Sequence, residues 1–440
     1  MSTADEDPIG GDPRLERAVS RGQVVALAVN SVVGSGVYLL PAAAAALLGA
    51  WSLGAVALAA VAVLLVVLCF AEASSHFDST GGPYLYTRTA FGPLVGFQVG
   101  WMAWLTRVAT AASLSVGFAE ALSYLAPAVA EGPWRAVAIA TPLLALTAVN
   151  VAGVRFGADA AVLLVIGKLV PLVVFVACGV FWFSADVFTA QRATEPGGLG
   201  GAALLLLFAY AGFENTTAPA GEYRRPRRDV PFALVGQLVL VTLLYLAVQA
   251  VALGTLPALG GSTSPIAEAA GRFLGGWGGW LLTAGAVVSI AGTLNDSVLA
   301  GPRYLYALAG DGFGPAVLAR VDHRFHTPAV AILVQTAVVL PLALSGSFVA
   351  LAALSVVARL ATYVGTALAV PVLRRKLAGG GGRGVAGGGE RAWRLPGGAA
   401  IPLAATAVSL LLLASAGWKN LAAGAVALAA GFAIYALRRR

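Results

Sequence analysis

The chain has 440 residues, 59% hydrophobic and only 11% charged, with a mean hydropathy of +0.85. That excludes an ordinary soluble domain and predicts an all-α polytopic membrane protein whose main partner is the lipid bilayer. The formal net charge of +8 predicts no nucleic-acid partner, because the basic residues follow a membrane-topology pattern.

The N-terminal tail, residues 1–22, is polar and carries acidic residues, so it is not a cleavable signal peptide. The first helix is expected to serve as an uncleaved insertion signal. Twelve apolar spans follow, at about 23–49, 53–76, 94–126, 134–152, 157–183, 199–220, 231–255, 277–308, 328–344, 348–371, 399–417 and 420–437. With the N-terminus inside, 21 of the 28 Lys and Arg residues fall on the cytoplasmic side. Four lie on the outer side (Arg135, Arg192, Arg272, Lys419) and three deep within spans (Arg107, Lys168, Arg359), residues at span ends being counted with the side they adjoin. This positive-inside bias predicts a multi-pass protein of the cytoplasmic membrane with both termini cytoplasmic. Topology also explains the Arg224–Arg228 and Arg438–Arg440 clusters, with lipid-headgroup binding as the other reading.

The spans group as five, five and two. Residues 23–183 form one five-helix repeat and 199–371 a second; 372–398 is a Gly- and Arg-rich cytoplasmic loop, and 399–437 holds helices 11 and 12. The third and eighth spans are the longest, each third in its group. An odd group size inserts the second repeat upside down, an inverted repeat.

The first span reads NSVVGSGVYLLP from Asn30 to Pro41, with Gly34-Ser35-Gly36 at its centre and Pro41 seven residues after Gly34. Glycine is weak in helix interiors and permits unwinding. A break at membrane depth is tolerated where it lines a cavity or is buried in protein. It would expose N–H groups at the start of the second half-helix, where the dipole favours a carboxylate. Close helix packing through small residues is the alternative. In the sixth span, FAYAGFENTTAP again places a glycine, Gly212, seven residues before a proline, Pro219. Two matched interruptions point to a transporter's binding site.

Chemistry-bearing residues are few. Cys69 and Cys178 sit in apolar runs and imply neither a disulfide framework nor a metal site. His76, His323 and His326 lie near helix ends or in loops. No metal and no cofactor are expected, and no nucleophile–base pair suggests an enzyme. Lys168 lies about 18 Å into the fifth span at 1.5 Å per residue. At that depth it is either a protonatable site or a structural amine bonded to carbonyls of a broken helix. Glu214, directly after the second break, is placed to cap N–H groups, bridge the broken helices or carry a proton. Arg107 sits mid-span near Thr106 and Thr110, and an Asp296–Arg107 pair between spans three and eight is a structural alternative. Arg359 has no partner that spacing identifies. Phe208 and Tyr210 precede the second break, where an aromatic either packs or closes over a ligand.

VVGSGVYLLPA in span one and FAYAGFE…RRPRRDVPFA in span six resemble the amino acid–polyamine–organocation (APC) transporters. So do FDSTGGPYLYTRTAFGPLVGFQ after span two and RYLYALAGDGFGPAVLARVDHRFHTP after span eight. The pattern is most similar to the arginine/agmatine antiporter-like branch. The resemblance covers residues 20–375 and implies a LeuT-type 5+5 inverted repeat with alternating access. It places the substrate at Ser31, Val32, Gly34, Ser35 and Gly36 and at Phe208, Tyr210, Ala211 and Gly212. N–H groups near Ser35 and Gly36 would receive the α-carboxylate. Carbonyls near Ser31, Val32, Phe208 and Ala211 would receive the α-ammonium. It also makes Phe208 an aromatic gate, and Lys168 the amine standing where sodium-coupled relatives hold a cation. Thr106, Arg107, Thr110 and Ser297 are expected to face the substrate, with Lys168 and Glu214 coupling protons. Arginine exchangers carry a tryptophan near Ser297 and a small residue at Arg107, so both departures argue against an arginine substrate.

The function expected is secondary active amino acid transport, by proton coupling or exchange. Neutral or acidic side chains are favoured over cationic ones, because Arg107 repels a second cation unless Asp296 or Glu214 neutralises it. A homodimer is the assembly allowed for. The rivals are a channel, for which the spans hold too little charge, and a nontransporting sensor or partner subunit.

Overall fold

The computed structural model describes residues 19–77, 81–153, 158–193, 198–217, 223–322, 324–325, 327–379 and 393–438. Among them the chain is helical, with a single isolated bridge between Val19 and Tyr223. Among the described residues each of the twelve expected spans overlaps a helix; eight helices are long and apolar enough to cross a membrane, and Ala329–Ser345 and Ala400–Ala414 are shorter apolar ones. Runs of Ala, Leu and Val such as Ser52–Ser75 (24 residues) reach about 36 Å, enough to cross a hydrocarbon core of about 30 Å.

The first span is two helices, α1 (Arg21–Val32) and α2 (Gly36–Leu48), followed by α3 (Ser52–Ser75) and a short α4 (Gly82–Phe91). Next come α5 (Pro93–Ser123), α6 (Gly132–Val151), α7 (Ala158–Gly179) and a six-residue α8 (Ala185–Ala190). The sixth span is α9 (Gly198–Tyr210) and then a 3₁₀ turn, Phe213–Thr217. The chain continues through α10 (Pro226–Thr255), α11 (Pro265–Gly310), α12 (Ala329–Ser345) and α13 (Phe348–Gly379), ending with α14 (Ala400–Ala414) and α15 (Gly417–Arg438).

Two features differ from the sequence reading. The second break is expected to restart as a half-helix, but the described residues after Gly212 form only five residues of 3₁₀ turn; Pro219 lies outside the described residues. The eighth span keeps its expected start near 277: within α11 a non-helical Gly275 (φ 67°, ψ −164°) separates it from a preceding helical stretch that begins at Pro265, a conformation open to glycine. The third and eighth are not the two longest helical runs: α13 has 32 residues and α5 has 31, since α13 continues past 371 through Arg374 and Lys376.

At the centre, α5 packs against α11 and α13, α3 against α10, and α2 against α9. Charged pairs pin the helix ends. Arg21 meets the buried Asp229 at 2.7 Å, joining α1 to α10. Arg374 grips Glu72 with two nitrogens (2.5 and 2.6 Å), and Glu72 also accepts the Leu395 N–H at 3.0 Å, joining α3, α13 and the segment before α14. The motifs after spans two and eight also meet: Tyr84 donates to Asp311, and Arg88 reaches the same carboxylate at 3.0 Å. Burial, then the bond to Asp311, pushes the Tyr84 phenol above its ordinary range.

Candidate functional site

The two interruptions touch. At Gly36 a Cβ would lie 2.6 Å from Ala209 Cα, and at Gly34 one would lie 3.1 Å from Thr293 Oγ1. Gly212 has φ +117°, and a Cβ there would overlap the Ser31 carbonyl. Glycine is therefore required for one broken backbone to lie against the other. Where α2 restarts, the N–H groups of Tyr38 and Leu39 donate to the Ser35 carbonyl at 3.1 and 3.0 Å. Those of Gly36 and Val37 have no backbone partner among the described residues. Two N–H groups at a helix start, with the positive end of its dipole, make a carboxylate receptor.

Lys168, fully buried on α7, braces the first break. Its Nζ donates to the Asn30 carbonyl (2.9 Å), the Val33 carbonyl (3.1 Å) and Thr293 Oγ1 (3.3 Å). Thr293 Oγ1 itself donates to the Ser289 carbonyl, so all three partners accept and the geometry calls for three N–H bonds, the ammonium form. This is the geometry of an amine bonded to carbonyls of a broken helix, at a point where losing its proton would cost a bond. Asp296, on α11, accepts from Asn30 Nδ2 at 3.5 Å.

Glu214 joins the second break to two other helices. Its Oε2 accepts the Gly212 N–H (3.1 Å) and the Tyr363 hydroxyl (3.2 Å). Its Oε1 lies 3.0 Å from Arg359 Nε and 3.7 Å from Arg107 Nη2. Glu214 thus caps the break and bridges α5 to α13. The expected alternative of an Asp296–Arg107 pair is not formed, because Arg107 turns to Glu214 instead. Arg359, for which the sequence offered no partner, is Glu214's nearest cation. Such pairing depends on how α5 and α13 flank the 3₁₀ turn, which spacing along one helix does not encode.

A narrow cavity lies between these groups. The first break contributes Ser31, Val32, Gly34, Ser35 and Gly36; the second contributes Phe208, Ala211 and Gly212. Arg107, Thr110 and Ser297 complete the expected lining. Phe208 meets Phe348 edge-on at 5.8 Å. Two expected residues are not brought to the cavity. The Thr106 hydroxyl bonds back to the Met102 carbonyl (2.8 Å), and the Tyr210 hydroxyl reaches toward the Val56 carbonyl on α3 (3.4 Å). Lys168 and Glu214 stand behind the wall, bonded to it. Leu114, Asn215, Thr293 and Arg359 also line the cavity. Two of these carry a sequence signal: Asn215 adjoins Glu214, and Thr293 lies one helical turn from Ser297.

Residues 20–432 match the family model described as amino acid permease. The chain belongs to the amino acid permease family. It is a membrane transporter of the APC superfamily that the four motifs resemble. The permease is 30% identical to the serine/threonine exchanger SteT of Bacillus subtilis, over 92% of this chain and 92% of that protein. It is 26% identical to the branched-chain amino acid permease BcaP of Bacillus subtilis, covering 98% and 94%. It is also 26% identical to the vacuolar cationic amino acid transporter 4 of Arabidopsis thaliana, covering 83% of this chain and 64% of that protein. The cavity between the two breaks is the permease's candidate substrate site.

Proposed function

We propose that this permease moves neutral or acidic amino acids across the cytoplasmic membrane by alternating access, and excludes cationic ones. The observation that carries this reading is the pair of unpartnered N–H groups, Gly36 and Val37, opening α2 beside a cavity lined by both breaks. The α-carboxylate sits there. The α-ammonium faces the carbonyls of Ser31, Val32, Phe208 and Ala211. Of these, Val32 receives the Tyr245 hydroxyl at 3.4 Å and Phe208 the Ala211 N–H at 3.2 Å, each keeping a second lone pair. Phe208 closes over the bound molecule.

In this reading residues 23–183 and 199–371 form an inverted repeat that rocks about the cavity, with both termini cytoplasmic. Transport is proton-coupled or by exchange, through Lys168 and Glu214. A serine/threonine exchanger and a branched-chain permease among the relatives support neutral substrates. Exclusion of cations rests on the guanidiniums of Arg107 and Arg359 at the cavity wall. Uptake of all twenty amino acids into proteoliposomes, with imposed proton and sodium gradients, tests the reading. Saturable uptake and counterflow of neutral or acidic amino acids are expected. Uptake of arginine or lysine as fast as the best neutral amino acid would defeat it.

A further inference from the structure

We propose that the side-chain end of the cavity is a carboxylate subsite built on Arg359 and Arg107, so that the permease prefers amino acids carrying a second carboxylate over their uncharged isosteres. This rests on the transport reading above and names the substrate class within it.

The first argument is charge. Two buried guanidiniums, Arg359 and Arg107, face one buried carboxylate, Glu214. One positive charge is left over. Glu214 is shared, its Oε1 standing 3.0 Å from Arg359 and 3.7 Å from Arg107. A guanidinium keeps its charge when buried, so the surplus cannot be removed by loss of a proton. A zwitterionic neutral substrate leaves the surplus in place, a cationic one adds to it, and a dicarboxylic one cancels it.

The second argument is geometry. Arg359 is only 2% exposed and lines the cavity. Its Nη2 donates to Thr110 Oγ1 at 3.3 Å, whereas Nη1 has no hydrogen-bond partner and Nε, though close to Glu214, is not aligned to donate to it. Buried donors without acceptors are costly, and a planar guanidinium edge matches a carboxylate. Arg359, Arg107 and the α-carboxylate receptor at Gly36 line the same cavity from different elements.

Equilibrium binding of radiolabelled aspartate, asparagine, glutamate and glutamine to the purified full-length permease tests this, because each acid and its amide share a shape. The acid should bind at least about tenfold more tightly than its amide. Arg359→Gln should bring the ratio to about one, and Arg359→Lys should retain part of the preference. Glu214→Gln should raise it, by freeing both guanidiniums; a structural defect would not raise it. The proposal fails if wild-type protein binds amides as well as acids, or if Arg359→Gln keeps the preference. Chloride, compared with gluconate, should help the amides and not the acids, since a side-chain carboxylate fills the place an inorganic anion would otherwise take; chloride that helps acids as much as amides counts against the proposal. Binding of amides, serine or leucine without acids overturns this inference alone. No binding by any of them overturns the transport reading with it.

Discussion

Lys168 and Arg107 show how much one buried charge decides. Lys168→Met leaves the carbonyls of Asn30 and Val33 without their amine donor, at about 1–3 kcal/mol for each. The expected outcome is uptake that no longer depends on an imposed proton gradient, together with a lowered melting temperature in detergent. Sodium should have no specific effect on the unmodified protein, since the ammonium occupies a cation's place; sodium-stimulated uptake would count against the role given to Lys168. At Arg107 the structure changes the expected size of an effect. A single guanidinium 5–6 Å from a cationic substrate repels it by about 3 kcal/mol at an effective dielectric near 20. Because Arg359 shares Glu214, Arg107→Ala should relax the exclusion only in part. Competition by arginine and lysine against a labelled neutral substrate should improve by about tenfold rather than the hundredfold that full removal of 3 kcal/mol implies. Unchanged competition would remove Arg107 from the selectivity argument.

At the scale of elements, the closest demand is where α2 passes α9. A methyl added at Gly36 would press on the Ala209 backbone at 2.6 Å, and overpacking of this kind costs about 1–3 kcal/mol. Gly36→Ala should therefore lower the melting temperature and cut uptake at least tenfold, because the displaced segment carries the free N–H groups. Gly54, in the first turn of α3, has nothing within 4 Å of its added Cβ, and Gly54→Ala should be neutral or stabilising by up to about 1 kcal/mol. Equal behaviour of the two variants would show that the close approach does not matter.

For the whole molecule, the proposed topology places α8 outside and the turn between α11 and α12 inside. Thr189 and Arg320 are both exposed. In a background lacking Cys69 and Cys178, Thr189→Cys should react with an impermeant maleimide in intact cells. Arg320→Cys should react only after the membrane is opened. The reverse pattern, or labelling of both from one side, would discard the twelve-span orientation and the inverted repeat that depends on it.

Helical class and the break at Gly34–Gly36 were legible from the order of residues, because each is local: apolar length makes a span, and glycine in a helix permits a break. The matched Gly212 was legible for the same reason. Local pattern could not say that Thr106 would turn back to Met102, or that Tyr210 would point at α3, since a side chain's direction depends on which neighbour fills the space beside it. Nor could it pair Arg359 with Glu214 across 145 residues of chain. Coulombic attraction acts through space, and only the packing of α5 and α13 around the 3₁₀ turn brought two guanidiniums to one carboxylate. Local pattern shows where the backbone breaks and sets Arg107, Lys168 and Arg359 within spans; packing settles which of the buried charges face each other, because only folding brings distant helices side by side.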